Sequence, residues 1–472
     1  MSSITAPTYD PTSTATAMAQ KTTASAQQIL TGQSSAATAT STALGKLGTA
    51  ISAFQTSLAS LAGLGKSMLA QTANLSDTSI GTATAKPLAS AGSYSLFVQQ
   101  LATASQVSYN NLADGRTPGG SLTVKLSDET PGLTPAPIPA TFAVDLSAAA
   151  DTDKDGKLSI REVAAAINGA SGNNGQVSAG VVTIGTEARL VLTSKNTGVA
   201  NTVSLDASGL ADTSLKTGLG VRSVVTAAQD AIVLLGGKSS GTAIKQASNT
   251  FTNIDGVSMT FTRAQASTEN DITLKVAGDS SGTTANVQAF VDAYNKLKTA
   301  IDTLLDPGDP TNAKAAGAFA HDAGIKALQG RLVSMLRSPG ATSLASYGII
   351  ATRDGTLSVD ATRLGKQLTV NPTGLDALIG SSSASSPSGV AGSLNTYLNV
   401  WSNSATGQLK QRTDATAKLQ STLTKHQSDL DAQYDAAYSR YLKQFTDLQA
   451  LQSTMNSNVS MFDALFSNDK SN

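Results

Sequence analysis

Two stretches of apolar residues near opposite ends of the chain recur at alternating steps of three and four, the spacing of a coiled-coil seam. The N-terminal seam comprises Leu44, Leu47, Ile51, Phe54, Leu58, Leu61 and Met68. The C-terminal seam comprises Leu423, Leu430, Tyr434, Ala437, Tyr441, Leu448, Leu451, Met455, Val459, Phe462 and Phe466. A third such stretch comprises Val287, Phe290, Tyr294, Leu297, Ile301 and Leu304.

A helix with one apolar stripe needs a partner that covers it. The three stretches together therefore predict a helical leg closed by both ends of the chain. Taken singly, each stretch is also compatible with helix packing inside an ordinary globular domain. Residues 1–43 are rich in Ser, Thr and Ala and carry little periodic apolar signal. We predict that this leader is disordered, or is a helix formed only on assembly.

Between about residues 80 and 280 the pattern changes to short alternating segments bounded by turn residues, which predicts strands. The predicted strands are 93–102, 121–126, 140–146, 180–185, 188–194, 201–206, 257–263 and 271–276. The predicted fold class is α+β and multidomain: a coiled-coil leg formed by the N- and C-terminal segments carries mostly β head domains. The predicted boundaries are 44–78 for the N-terminal leg helix, 79–120 with 232–280 for an inner head domain, 121–231 for an outer head domain, 281–424 for a helical region returning to the leg, and 425–472 for the terminal helix.

One loop inside the predicted outer head domain, DTDKDGKLSIRE at 151–162, has the spacing of a complete EF-hand calcium loop. In that pattern a glycine, here Gly156, makes the sharp turn, while oxygens at positions 1, 3, 5, 7, 9 and 12 face the ion. The predicted Ca²⁺ ligands are Asp151, Asp153, Asp155, the Lys157 carbonyl, Ser159 through water, and Glu162.

The alternative for this loop is a capping box, in which Ser159 and Glu162 cap the following helix. A capping box accounts for two residues but leaves the alternating aspartates and the glycine unexplained. The segment before the loop reads as a strand and a short link, and the chain contains no second loop of this kind. A single loop with one helix favours a structural ion clip over a calcium sensor that opens a groove.

Composition narrows the possible partners. Lys plus Arg and Asp plus Glu both number 33, so the formal net charge is zero and no overall field attracts nucleic acid or an anionic membrane. No run reaches the roughly 18 apolar residues of a membrane span, and the absence of cysteine excludes disulfides and thiolate chemistry. The N-terminus lacks the basic start and apolar stretch of a secretory signal, so we expect export by another route.

Two short strings resemble enzyme motifs but lack the context that those motifs need. Gly65-Lys66-Ser67 resembles the end of a phosphate-binding loop, but it falls within the N-terminal seam and no strand precedes it. The string GKSSG, residues 237–241, places Ser239 at the centre of a G-x-S-x-G nucleophile motif. The only histidines, His321 and His426, fall in predicted leg segments. We therefore predict that the protein is not an enzyme, and that Trp401 serves packing.

Eight segments occur in a fixed order along the chain: AGSYSLFVQQLATASQV (91–107), 163–182, 188–205, 248–261, FVDAYNKLKTAI (290–301), 316–336, 347–364 and 433–466. Together they resemble the bacterial flagellar filament cap family, also called hook-associated protein 2. The resemblance extends from about residue 44 to residue 466. The leader matches the family poorly, and the resemblance neither supports nor excludes a metal site at the aspartate loop.

The resemblance implies a structural cap at the distal filament tip, exported by the flagellar type III route without a cleaved signal. It implies a ring-like homo-oligomer, commonly of five or six copies, that promotes insertion and folding of exported flagellin. An export chaperone would hold the C-terminal helix beforehand. Two alternatives stay open: a calcium-stabilised flagellar surface adhesin, and a hook–filament junction protein.

Overall fold

A computed structural model describes residues 10–133, 138–185, 187–337 and 343–467 of the chain. The chain divides into two compact units. Residues 1–68 with 284–472 form one, here called the leg unit, and residues 69–283 form the other, here called the head unit. The leg unit is mostly helical and the head unit mostly β, which confirms the predicted α+β class with helical end segments.

The described helices are α1 (Pro11–Ala62), α2 (Ile160–Gly169), α3 (Thr213–Gly220), α4 (Ser280–Leu305), α5 (Ala323–Leu336), α6 (Ala361–Val370), α7 (Gly374–Ile379), α8 (Gly389–Ser402) and α9 (Gln408–Ser467). Short 3₁₀ helices cover Val199–Asn201, Pro310–Asn312 and Leu344–Tyr347. At 52 and 60 residues, α1 and α9 are each several times the usual helix length of about 11–12 residues. None of the described helices combines the length and apolar character needed to cross a membrane.

Helix α1 begins far earlier than the N-terminal seam. Asp10 caps it by accepting the N–H groups of Thr12 and Ser13, at 3.3 and 2.9 Å, and Pro11 occupies the first turn, where its missing N–H has no intrahelical role. Of the two alternatives predicted for the leader, disorder is therefore wrong for residues 11–43, which are helical, and residues 1–9 lie outside the described residues. The first half of α1 buries mainly alanine, and alanine gives too weak an apolar signal for helical periodicity to be recognised in the sequence.

The N-terminal seam is buried as predicted, apart from Leu61, which is half-buried. The Phe54 ring lies against two rings of α4, with its centroid 6.4 Å from that of Phe290 and 6.3 Å from that of Tyr294. All six residues of the third stretch are also buried. The N-terminal and the third seam thus pack against each other within the leg unit.

The C-terminal end of α1 is closed by a buried serine. Ser382 donates its backbone N–H to the Ala62 carbonyl at 2.7 Å, and its hydroxyl lies 3.1 Å from that oxygen and 3.3 Å from the Leu58 carbonyl. The bonds to Ala62 satisfy a carbonyl of the last helical turn, which has no partner inside the helix. The predicted leg helix of 44–78 is too long, because α1 ends at Ala62 and a strand begins at Ala70.

Replacing Ser382 by alanine should destabilise the leg unit by about 1 kcal/mol, because a buried hydroxyl hydrogen bond is lost. The only tryptophan of the chain, Trp401, lies in α8 and is 6% exposed. Denaturation followed by tryptophan fluorescence therefore reports on the leg unit. Ser386→Ala is the matched control, since Ser386 is exposed. Equal midpoints for the two variants would contradict the assigned role of Ser382.

The head unit contains four of the five described sheets. One five-stranded sheet has the order β1 (Ala70–Leu75), β15 (Ile272–Asp279), β3 (Gly92–Gln100), β11 (Ala231–Leu235) and β12 (Thr242–Gln246). A three-stranded sheet of β13 (Thr250–Phe251), β14 (Val257–Phe261) and β2 (Gly81–Ala85) shares its core, where the Phe251 and Phe261 rings meet edge to face at 5.5 Å. These two sheets form the inner head domain.

The outer head domain has its own core. It contains a four-stranded sheet, β10 (Arg222–Thr226), β4 (Ala104–Tyr109), β8 (Glu187–Thr197) and β7 (Val177–Ile184), and a three-stranded sheet, β6 (Ala140–Asp145), β5 (Ser121–Ser127) and β9 (Thr202–Asp206). Helix α2 packs on β7, where the Asn168 side chain exchanges two 2.8 Å hydrogen bonds with the backbone of Ala179. All eight strands predicted from the sequence are present.

The boundary between the two head domains differs from the prediction at 120/121. Strand β4 belongs to the outer domain, so the chain crosses from inner to outer near Thr103 and returns near Gln229, where the two residues form an isolated backbone bridge. Helix α9 begins at Gln408, so the predicted boundary at 424/425 falls inside one continuous helix. The remaining described sheet, β16 (Ile349–Ala351) with β17 (Leu357–Val359), lies in the leg unit.

Candidate functional sites in the terminal helix and the aspartate loop

Helices α1 and α9 pair antiparallel in the leg unit. The side-chain amides of Gln27 and Gln427 exchange two hydrogen bonds, at 3.0 and 2.9 Å, and the hydroxyl oxygens of Thr22 and Tyr441 lie 3.4 Å apart. A small core joins the helices through Leu30, Ala37, Leu423 and Leu430. Three members of the predicted C-terminal seam, Leu423, Leu430 and Ala437, are thus buried, and the first two have partners in α1.

The distal part of α9 carries an exposed apolar stripe. Its members are 39% to 63% exposed; they are Leu448, Leu451, Met455, Val459, Met461, Phe462 and Leu465. Most follow one another at steps of three and four and therefore lie on one helix face. The sequence predicted an apolar seam here, and the structure shows that the described residues of this chain leave it open to solvent. Phe466, the last predicted member, has no described side chain.

The stripe follows from the pairing register. The contacts of residue 27 with 427 and of residue 22 with 441 run toward the beginning of α1, whose first residue is Pro11. Because the helices are antiparallel, later residues of α9 lie beside earlier residues of α1. The first described turn of α1 therefore lies near the point of α9 where the stripe begins. A row of large apolar side chains rarely remains in water on a soluble protein unless it is an interaction surface.

The aspartate loop brings three of its six predicted ligands together. Carboxylate oxygens of Asp151, Asp153 and Asp155 lie within 4.8 Å of one another. Positive φ angles at Lys154 and Gly156, 61° and 81°, turn the backbone between them, and glycine adopts this conformation without a side-chain clash. The Gly156 N–H donates to Asp151 Oδ2 at 2.8 Å.

Glu162 does not join this cluster. Its Oε2 accepts the Ser159 N–H at 2.9 Å, and its Oε1 accepts the Thr152 N–H at 2.7 Å. The Ser159 hydroxyl in turn accepts the Glu162 N–H at 3.3 Å, which completes a capping box at the start of α2. Sequence patterns thus fit both proposed uses of the loop, and the structure shows the box formed beside the clustered aspartates.

The carboxyl groups of the loop differ in their electrostatics. Hydrogen bonds from the Ser159 and Thr152 backbone, opposed by desolvation, lower the pKa of Glu162 to about 2. The Asp155 N–H lowers the pKa of Asp153, but desolvation and the negative charges of Asp155 and Glu162 outweigh it and raise that pKa overall. Desolvation and the neighbouring negative charges thus both disfavour the ionised form of Asp153.

The loop is anchored by residues that no pattern in the sequence singles out. Asp114 Oδ1 accepts the Ile160 N–H at 2.8 Å, and Leu158 forms a two-way backbone bridge with Arg116, with N···O distances of 2.7 and 3.0 Å. These partners lie more than 40 residues earlier in the chain, and only the fold brings them to the loop.

The enzyme-like strings have structural roles. GKSSG forms the turn of the β11–β12 hairpin, whereas a nucleophile elbow requires a turn from a strand into a helix. His321 and His426 are exposed. Gly65-Lys66-Ser67 follows the end of α1 rather than lying inside that helix, and the Ser67 hydroxyl bonds to Asp376. Trp401 is buried, and the guanidinium of Arg412 lies 5.6 Å from its ring centroid.

Two family models match most of the chain. The model for the N-terminus of flagellar hook-associated protein 2 matches residues 8–105, and the model for its C-terminus matches residues 228–457. The chain belongs to the flagellar hook-associated protein 2 family. The family consists of structural proteins of the flagellum and not of enzymes. Its N-terminal model includes most of the leader, so the prediction that the leader matches the family poorly is wrong.

Curated members of this family align over most of their length. The lateral flagellar hook-associated protein 2 of Vibrio parahaemolyticus is 33% identical over 384 residues, covering 81% of this chain and 83% of that protein. The flagellar hook-associated protein 2 of Escherichia coli K12 is 28% identical over 464 residues, covering 93% of this chain and 92% of the relative.

A solved structure of this family shares the fold. The D1-D2-D3 domains of the flagellar cap protein FliD from Escherichia coli superpose with a TM-score of 0.61 at 25% identity, covering 79% of this chain and 99% of that one. The two family models leave residues 106–227 unmatched. This segment is nearly the whole outer head domain, and the aspartate loop lies within it.

Proposed function

We propose that this protein caps the distal tip of the flagellar filament, where copies of it assemble and promote insertion and folding of exported flagellin. Family membership supports the proposal, as does the shared fold with a protein described as a flagellar cap protein. The observation that carries it within this chain is the exposed apolar stripe at the end of α9. Such a stripe fits a helix whose partner arrives only on assembly.

The exposed stripe of α9 also suggests two partners, a chaperone before export and neighbouring copies of the chain after it. Before export, the open stripe would expose large apolar side chains in the cytoplasm, where a chaperone that covers them would prevent aggregation. After export, the stripe would pack against neighbouring helices in a small ring of copies at the filament end. The protein would then be extracellular at the tip of the flagellum.

The family match favours this function over the two alternatives. A hook–filament junction protein would be expected to match a different family model, and both matched segments here belong to hook-associated protein 2. A surface adhesin would bind its ligand through the head and would not require the end of α9.

The test is deletion of the gene in the bacterium that makes this protein. We expect cells without filaments that release unpolymerised flagellin into the medium, because exported subunits are no longer retained and folded at the tip. The full-length gene supplied in trans should restore filament length. Filaments of normal length in the deletion strain would contradict the cap function, and a defect confined to surface attachment would favour the adhesin.

A further inference from the structure

One buried oxygen atom in the aspartate loop has no hydrogen-bond partner in the part of the chain that the structure describes. Asp151 is 9% exposed, and its Oδ1 exposes less than 1 Å² to solvent while making no hydrogen bond to any described residue. The other oxygen, Oδ2, accepts the Gly156 N–H. A buried carboxylate oxygen without a partner is unfavourable, so its position calls for a ligand that the described residues do not supply.

The charge around this oxygen is also uncompensated. Asp153 and Asp155 place carboxylate oxygens within 4.8 Å of one another and of Asp151. Among the described residues, no lysine or arginine forms an ion pair with any of the three, although Lys154 and Lys157 lie in the same loop. Carboxylates held this close repel each other unless a cation lies between them.

We propose that the three aspartates bind one Ca²⁺, with Asp151 Oδ1 as the buried ligand. Ca²⁺ prefers carboxylate oxygens and accepts irregular geometry, whereas Mg²⁺ demands near-octahedral coordination and keeps its waters. Glu162 is a positioning residue in this site. Its two oxygens hold the N–H groups of Thr152 and Ser159 and thereby fix both ends of the loop.

The proposed ion has a structural consequence. The second half of the loop is tied to the domain through the Leu158–Arg116 bridge and to α2 through the capping box. The first half carries the clustered aspartates. By binding these aspartates, a cation would fix the first half of the loop relative to the second half, which is already anchored. It would therefore stabilise the outer head domain without opening a groove.

The experiment uses the full-length chain after treatment with a chelator. Calcium chloride is titrated by calorimetry up to about 10 mM, because single extracellular sites bind with Kd values of about 10⁻⁴–10⁻³ M. We expect one ion per chain and an upward shift in the unfolding temperature of the head unit. At one hundred times Kd, the ratio of folded to unfolded molecules should rise about 100-fold.

The variants separate a ligand from a positioning residue. Asp151→Asn should be at least as stable as the parent in chelator, because it removes a buried unpaired charge, but should lose the calcium response. Asp153→Asn, at an exposed position, should weaken binding without affecting folding. Glu162→Gln should lower stability in chelator, because a side-chain amide nitrogen cannot accept the N–H bonds, and should retain a calcium response.

Asp128→Asn is the matched control, since it removes the same charge elsewhere in the outer head domain and should keep the full response. The proposal is overturned if the parent protein shows no binding heat and no stabilisation up to about 10 mM calcium. It is equally overturned if Asp151→Asn and Asp153→Asn both respond like the parent. An equal response to magnesium chloride would overturn the assignment to calcium.

Discussion

A chain that ends at Asp447 should fold normally and fail to support filament growth. The truncation removes the entire exposed stripe, beginning with Leu448, and leaves the described contacts between α1 and α9 in place. We expect filament number to fall to that of the gene-deletion strain, because the assembled cap loses the helix face that contacts its neighbours. Tryptophan fluorescence and helical circular dichroism of the purified variant should still show a cooperative unfolding transition.

Point variants test whether the apolar character of the stripe, rather than helix length, is required. Leu451→Ser with Phe462→Ser leaves the helix at full length but removes two large apolar side chains from the stripe. Ser453→Ala lies on the opposite face by helical spacing and serves as the control. The proposed role of the stripe fails if the double variant grows filaments as well as the control does.

Phe54→Ala should produce the largest loss of stability of any single substitution considered in the leg unit. The side chain is 2% exposed and contacts Phe290 and Tyr294 of α4. Removing a buried phenylalanine leaves a cavity and typically costs about 3–5 kcal/mol. The leg unit is formed by segments more than 200 residues apart in the chain, so the loss should weaken the junction between them.

Denaturation monitored at Trp401 measures this effect in the leg unit, because the head unit contains no tryptophan. Ser52→Ala, on an exposed position of the same helix, should change stability by less than about 0.5 kcal/mol. A loss for Phe54→Ala below about 1 kcal/mol would contradict the packing described for α1 and α4, since core truncations of this size rarely cost so little.

The aspartate loop shows how far sequence reasoning reaches toward a site. The spacing from Asp151 to Glu162 identified the three clustered carboxylates and also the capping box, because both depend on residues within one short segment. It could not decide between two uses of Glu162. That choice depends on the Thr152 N–H and on anchors at Asp114 and Arg116, which reach the loop only through the strand pairing of the outer head domain.

The family and the α+β class could be predicted from the sequence, because helix and strand periodicity and the ordered segments are local features. The seams at residues 44–68 and 287–304 and all eight predicted strands depend only on which face of an element is apolar. The helix in the leader was not predicted because its buried residues include Ala15 and Ala19, and alanine gives no strong pattern.

Tertiary structure alone decided which parts of these patterns remain uncovered. Strand order placed β4 in the outer head domain, and no local signal specifies a partner across 80 residues of chain. The antiparallel register of α1 and α9 buried the seam at Leu423 and Leu430 and left the same kind of seam exposed from Leu448 onward. Periodicity shows that a helix face needs a partner, but only the length and register of the partner helix determine where that face stays open.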